Sequence, residues 1–127
     1  MNISKAAKAA GLPTKTVRYY ADIKLVDPVG RTSAGYRSYD EASVRRLAFI
    51  RRAREFGFTI DNCRELLGLY QNDKRSSADV KKIASLRLEE IEEKQRELQF
   101  LHDELAHLVK NCRGDNRPDC PIIDYLG

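Results

Sequence analysis

The sequence predicts a mainly α protein in three parts: short helices with one small β-hairpin, a single long helix, and a terminal loop closed by a short helix. Three observations carry that prediction. From Ser77 to Asn111 no Gly or Pro interrupts a helical pattern, whereas the chain before it is broken repeatedly by Gly-containing turns. Charge is unevenly divided: residues 1–75 carry 15 Lys/Arg against 8 Asp/Glu, and residues 76–127 carry 8 against 11. Finally, Cys112 and Cys120 bracket a polar loop containing Gly114 and Pro118, ahead of Pro121, Ile122 and Ile123.

The 127 residues suit one small domain plus an elongated element. No apolar run is long enough for a membrane span, and Met1 to Lys5 begin directly on a helical pattern without a hydrophobic signal region. The expectation is a cytoplasmic protein with no membrane partner. Three cysteines in such a chain argue for free thiols rather than a disulfide framework. The basic N-terminal part suits a polyanion, and the acidic C-terminal part has a different task.

Taken in order, Ser4 is the expected N-cap of a first helix over residues 5–10, stopped by Gly11, Leu12 and Pro13. Thr14 is expected to cap a second helix, in which Val17, Tyr20 and Ala21 share an inward face and Lys15, Thr16, Arg18 and Tyr19 face outward. Two short helices joined by a Gly-containing turn read as a helix-turn-helix, and basic and hydroxyl groups at the start of its second helix suit phosphates and base edges. After Asp27 and Pro28, the turn Ser33-Ala34-Gly35 predicts a polar hairpin. Such a hairpin acts as a wing, offering Arg31 and Arg37 to phosphate with Tyr36 and Tyr39 fixing register. Asp40 caps a helix to residue 56, with Val44, Leu47, Ala48 and Ile50 inward and five arginines outward. Of these, Arg54 is a candidate phosphate contact and the rest are a solvated face. Thr59 caps a further helix over residues 60–70, in which Cys63 is a small core residue.

Residues 71–77 form a polar linker, with Ser77 capping the long helix over residues 78–111. One heptad position takes Ala84, Ile91, Leu98 and Leu105; the other takes Val80, Arg87, Lys94, Leu101 and Leu108. A lone helix would expose this seam, so it predicts pairing with a second copy of the chain. The domain plan is therefore residues 1–70 for the basic part, 71–77 for the linker, 78–111 for dimerisation and 112–127 for the loop and terminal helix. No nucleophile–base pair or phosphate-cradling Gly loop points to an enzyme.

Together these residues resemble the MerR family of bacterial transcription regulators, and within it the copper-efflux regulators of the CueR/HmrR group. The resemblance rests on residues 17–20, 35–39, 54–59 and 77–81, and most specifically on Cys112-x7-Cys120-Pro-Ile-Ile. It implies a winged helix-turn-helix DNA-binding domain, a second helix pair, and a long antiparallel dimerisation helix leading to a C-terminal metal-binding loop. It further implies a homodimer on promoter DNA whose distortion realigns the promoter for RNA polymerase. Lys15, Thr16, Arg18 and Tyr19 would lie at the major groove, with Tyr20 counted among the DNA contacts; Arg31, Tyr36, Arg37 and Tyr39 would serve the wing. Antiparallel helices would bring Ser77 of one chain near the loop of the other. Where family members often carry Gly, this chain has Lys24, implying a strained helix end or an added phosphate contact.

Two thiolates without His or carboxylate favour a soft monovalent ion, whereas a structural zinc site recruits four ligands. Cu(I) is the expected effector, and Ag(I) or Au(I) could substitute. Cys112 and Cys120 are the expected ligands. Ser77, Pro121 and Ile122 would surround them, Ser77 standing where divalent sensors of the family carry Cys. His102 and His107 read as surface residues. Two other readings remain open at this stage: a thiol redox sensor on the same scaffold, and a coiled-coil adaptor whose basic head is incidental.

Overall fold

The computed structural model describes residues 1–127 and contains six helices and one two-stranded antiparallel hairpin. The helices are α1 (Ile3–Ala10), α2 (Thr14–Asp22), α3 (Glu41–Glu55), α4 (Ile60–Tyr70), α5 (Ser77–Asn111) and α6 (Pro121–Leu126). The strands β1 (Gly30–Arg31) and β2 (Arg37–Ser38) lie between α2 and α3. Gly30 pairs with Ser38 and Arg31 with Arg37, so Thr32 to Tyr36 form the hairpin tip. The order helix, turn, helix, hairpin is that of a winged helix-turn-helix.

The caps follow side-chain chemistry, with three shifts from expectation. Asn2, not Ser4, caps α1, its side chain accepting from the Lys5 N–H at 2.9 Å. Pro13 holds the N-cap position of α2 without a side-chain bond, leaving Thr14 inside the first turn. Ser76 accepts from the Ala78 N–H at 3.2 Å at the head of α5, and Ser77 is already helical. Asn and Ser cap almost equally well, so neighbouring candidates are hard to separate by residue type. Asp40 and Thr59 cap α3 and α4 as their spacing predicts.

By contacts the chain divides into two units, Met1–Ala84 and Ser85–Gly127. The first has a continuous core: α1 packs on α2 and α3, and α3 packs on α4. Ala6, Val17, Leu47, Ile50 and Cys63 are fully buried within it. Truncating Leu47 or Ile50 to Ala should cost about 2–5 kcal/mol, the usual price of a cavity in so small a core. The first turns of α5 belong to this unit, with Val80 and Ile83 packed against the core.

Three helices of this unit end alike. At each, a residue at or directly after the cap adopts a left-handed conformation: Gly11 at φ +76°, Lys24 at +57° and Gly57 at +82°. The following residue then donates back to the helix, Leu12 to the Ala7 carbonyl, Leu25 to Tyr20 and Phe58 to Ala53. Glycine is the usual occupant because it has no Cβ to clash. Lys24 therefore carries a penalty of about 1–2 kcal/mol.

In the second unit α5 buries none of its side chains. Leu98, Leu101 and Leu105 are each more than half exposed, along with Leu86, Leu88, Phe100 and Val109.

Candidate functional site

The basic face is built from α2 and the hairpin. Lys15, Arg18 and Tyr19 are exposed on α2 and Thr16 is half-buried, while Arg31 and Tyr36 are exposed on the hairpin. The hairpin tip is fixed internally. Arg31 donates to the Gly35 carbonyl at 2.9 Å, and the Tyr36 N–H donates to the Thr32 hydroxyl at 3.1 Å. Arg37 is tied to α2, its guanidinium lying 2.7 Å from the Asp22 carboxylate and 3.4 Å from the Arg18 carbonyl. Between α2, the hairpin and the start of α1 runs a groove of about 580 Å³, lined in part by Ser4, Arg18, Arg31, Tyr36 and Arg37. Three guanidinium groups around one groove form an anion-accepting surface.

Two expected DNA contacts are corrected by burial. Tyr20 is 5% exposed and Tyr39 1%, so both rings belong to the core. Burial pushes both phenols above their ordinary range, and neither ring is available to a duplex. The inward spacing of Tyr20 had already signalled this; Tyr39 starts the transition into α3, where the alternation of a hairpin no longer applies. The Tyr39 hydroxyl has no hydrogen-bond partner in the protein. Arg54 is exposed, but it donates to the Phe58 carbonyl and stands beside the Tyr20 hydroxyl, which gives it a place in the helix turn.

Residue-type reasoning missed a set of arginines that serve helix ends. Arg51 donates to the Ala10 carbonyl at 2.9 Å, at the end of α1. Arg64 reaches the Lys24 and Ile23 carbonyls at 2.9 and 3.0 Å, at the end of α2. Both partners lie about forty residues distant in sequence, beyond any local pattern.

The cysteine loop lies wholly within the second unit. Cys112 follows the last residue of α5, and Cys120 is the N-cap of α6 with Pro121 at its first position. The two sulfurs face each other at 3.1 Å and both residues are half-buried; Cys63 is fully buried in the other unit. The two thiols hydrogen-bond to each other, and either sulfur can be the donor; the pairing raises the Cys112 thiol and lowers that of Cys120. The backbone N–H groups of Ile122 and Ile123 also favour the Cys120 thiolate, and that of Gly114 favours the Cys112 thiolate. These amides supply the donors that a negatively charged sulfur pair requires. No cluster of three or more His, Cys, Asp or Glu side chains suited to a metal is present. The arrangement is therefore a two-thiol site, and it fits a soft monovalent ion better than a zinc ion needing four ligands. Pro121 and Ile122 are half-buried beside it. Gly114 and Ile123 act through backbone amides, which side-chain chemistry does not reveal.

Comparison with known proteins places this arrangement. Residues 1–69 match the MerR HTH family regulatory protein model, and residues 44–108 match the MerR DNA-binding model. The chain is 49% identical to the HTH-type transcriptional regulator HmrR of Rhizobium leguminosarum bv. viciae, over 99% of this chain and 97% of that one. It is 47% identical to CueR of Yersinia pestis, over 99% and 91%. The chain belongs to the MerR family, in its CueR/HmrR group. As a MerR-type transcription regulator it is not an enzyme. Its fold matches the crystal structure of the regulator PbrR691 from Ralstonia metallidurans CH34, a protein solved in complex with lead(II). The TM-score is 0.83 at 31% identity, covering 100% of this chain and 99% of that one. MerR regulators bind promoter DNA, typically as dimers. No helix of the chain is long and apolar enough to cross a membrane.

Proposed function

We propose that this MerR regulator is a copper(I)-responsive activator, working as a homodimer on promoter DNA and switching on copper-efflux genes. The observation that carries the reading is the pair of sulfurs at 3.1 Å, Cys112 and Cys120, with no third ligating side chain to recruit a divalent ion. Relatives named CueR and HmrR support it. Cu(I), with Ag(I) or Au(I) as substitutes, would supply a bond to each thiolate and so tie the end of α5 to the start of α6. The amides of Gly114, Ile122 and Ile123 would steady the residual negative charge, and Pro121 and Ile122 would keep water away.

In the dimer, α5 pairs with its partner in the antiparallel sense that the family resemblance implies, bringing Ser77 of each chain toward the other's loop. A serine there adds polarity without a third thiolate. Lys15, Thr16, Arg18 and Tyr19 meet the major groove, and Arg31, Tyr36 and Arg37 serve the backbone beside it. The metal-loaded dimer holds the promoter in a distorted form that aligns its two recognition elements for RNA polymerase. Anaerobic titration against a Cu(I)-selective chelator tests the site. One ion per chain is expected, with competition lost in Cys112→Ser and Cys120→Ser; unchanged competition in both variants would end the metal reading.

The short sulfur–sulfur distance also supports a second reading, a thiol redox sensor in which the pair oxidises to a disulfide. Promoter activation by peroxide with copper chelated away would select it.

A further inference from the structure

Lys24 is the one residue other than glycine in a left-handed backbone conformation, and it stands at the end of the helix that faces DNA. The equivalent positions after α1 and α3 are Gly11 and Gly57, and the same backbone bonding pattern closes all three ends. At α2 the pattern consumes the Tyr20 and Ala21 carbonyls, which accept from Leu25 and Lys24, and leaves those of Ile23 and Lys24 beyond it. Those two are the carbonyls that the Arg64 fork takes, one nitrogen to each, at 3.0 and 2.9 Å. A guanidinium is suited to this because its donors are planar and fixed, so two bonds cost little more order than one. Its positive charge also complements the negative end of the α2 dipole.

We propose that Arg64 is a positioning residue for DNA reading: its two-point clamp holds Lys24 left-handed and fixes the end of α2 against α4. Only a helix whose axis is held can present Arg18 and Tyr19 to base edges in a constant register. The clamp takes over what glycine supplies at the other two ends, so Arg64 and Lys24 form a compensating pair. The inference rests on the family's DNA binding and is independent of which metal the loop holds.

The test is a double-mutant cycle on DNA binding. A duplex selected from a random pool by the wild-type protein serves as the specific probe, and a scrambled duplex as the control. Arg64→Ala should weaken binding to the selected duplex about tenfold, leave the scrambled duplex unchanged, and leave the salt slope unchanged, because Arg64 does not itself meet phosphate. Lys24→Gly in the same chain should restore most of the loss, since glycine holds the left-handed turn without a clamp. Arg64→Lys keeps the charge but loses the fork, and should behave like Arg64→Ala; circular dichroism on each variant confirms that it is folded. Full selected-duplex affinity in both Arg64 variants would overturn the proposal. So would a salt slope lowered by about one, the mark of a lost phosphate contact, or a Lys24→Gly background that restores nothing.

Discussion

Arg37 and Asp22 show how one side chain on the DNA face can be used twice. The carboxylate sits 2.7 Å from the guanidinium, so it both fixes the hairpin to α2 and places a negative charge next to incoming phosphates. Asp22→Asn should therefore tighten binding to an unselected duplex and steepen its salt dependence by about one in log–log slope. Discrimination in favour of a selected duplex should fall, because Arg37 is then less constrained. Fluorescence anisotropy over a salt series measures all three. Tyr39 calls for the opposite kind of test. Its hydroxyl is buried without a partner, and such a group costs about 1–3 kcal/mol in desolvation. Tyr39→Phe should stabilise the fold by about 1 kcal/mol in urea unfolding and leave DNA affinity unchanged, whereas a DNA-contacting hydroxyl would give a measurable loss. In the loop, the hydrogen bond from its partner thiol and the backbone amides of Ile122 and Ile123 lower the Cys120 thiol below its ordinary value. Mass-mapped alkylation of the metal-free protein near neutral pH should label Cys120 ahead of Cys112; equal rates would show that the amides at the start of α6 do not set its reactivity.

Helix caps are the scale at which pH enters stability. Asp40 accepts from both the N–H and the hydroxyl of Ser43 at 2.8 Å, and these bonds lower its carboxyl below the ordinary value. With the folded value depressed, the contribution is present above the unfolded carboxyl range, near 4, and disappears as pH falls through the folded value. Asp40→Asn keeps an N-cap oxygen but not the titration. Its melting temperature should lie below wild type at neutral pH, and the two should converge in acid. The cap was legible in the sequence because Asp stands directly before a helical run, as was the inward face of α3 from its spacing. The start of α1 was less so, since Asn2 and Ser4 compete for one role. The helix-end arginines were not legible: Arg64 and Lys24 are forty residues apart, and a solvent-facing arginine looks the same in a sequence whether it caps a distant carbonyl or not. The same limit applied to Tyr39, whose alternation in the hairpin pointed outward while the core took it in. The cysteine pair was legible as a pair of thiols from residue type and position, but the amide donors beside it belong to the backbone of α6 and of Gly114.

For the whole molecule the decisive fact is a helix of 35 residues, none of them fully buried in the single chain and only its first turns packed on the core. Its length is about 52 Å, and Leu98, Leu101 and Leu105 stand 64%, 60% and 55% exposed on neighbouring turns. An apolar stripe of this kind is stable in water when a second surface covers it, and in the proposed homodimer that surface is another copy of α5. Arg87 and Lys94 interrupt the stripe toward its start. Arg87 bonds Glu90 at 3.3 Å and Lys94 bonds Glu97 at 2.9 Å, so their charges are satisfied along the helix itself. In an antiparallel pair the apolar half that leads to each cysteine loop then lies against the first half of the partner's helix. Leu101→Glu combined with Leu105→Glu places two like charges near each end of an antiparallel pair, against the first half of the partner's helix, and should yield a monomer by sedimentation equilibrium. DNA binding should weaken by about 100-fold or more, since two linked reading heads gain their affinity from being held together. The Cu(I) titration supplies the contrasting arm, because both thiols come from one chain and the monomer should still take one ion. A double variant that remains dimeric would place the dimer surface elsewhere on the molecule. A monomer that loses the ion would show that the loop needs its partner to form.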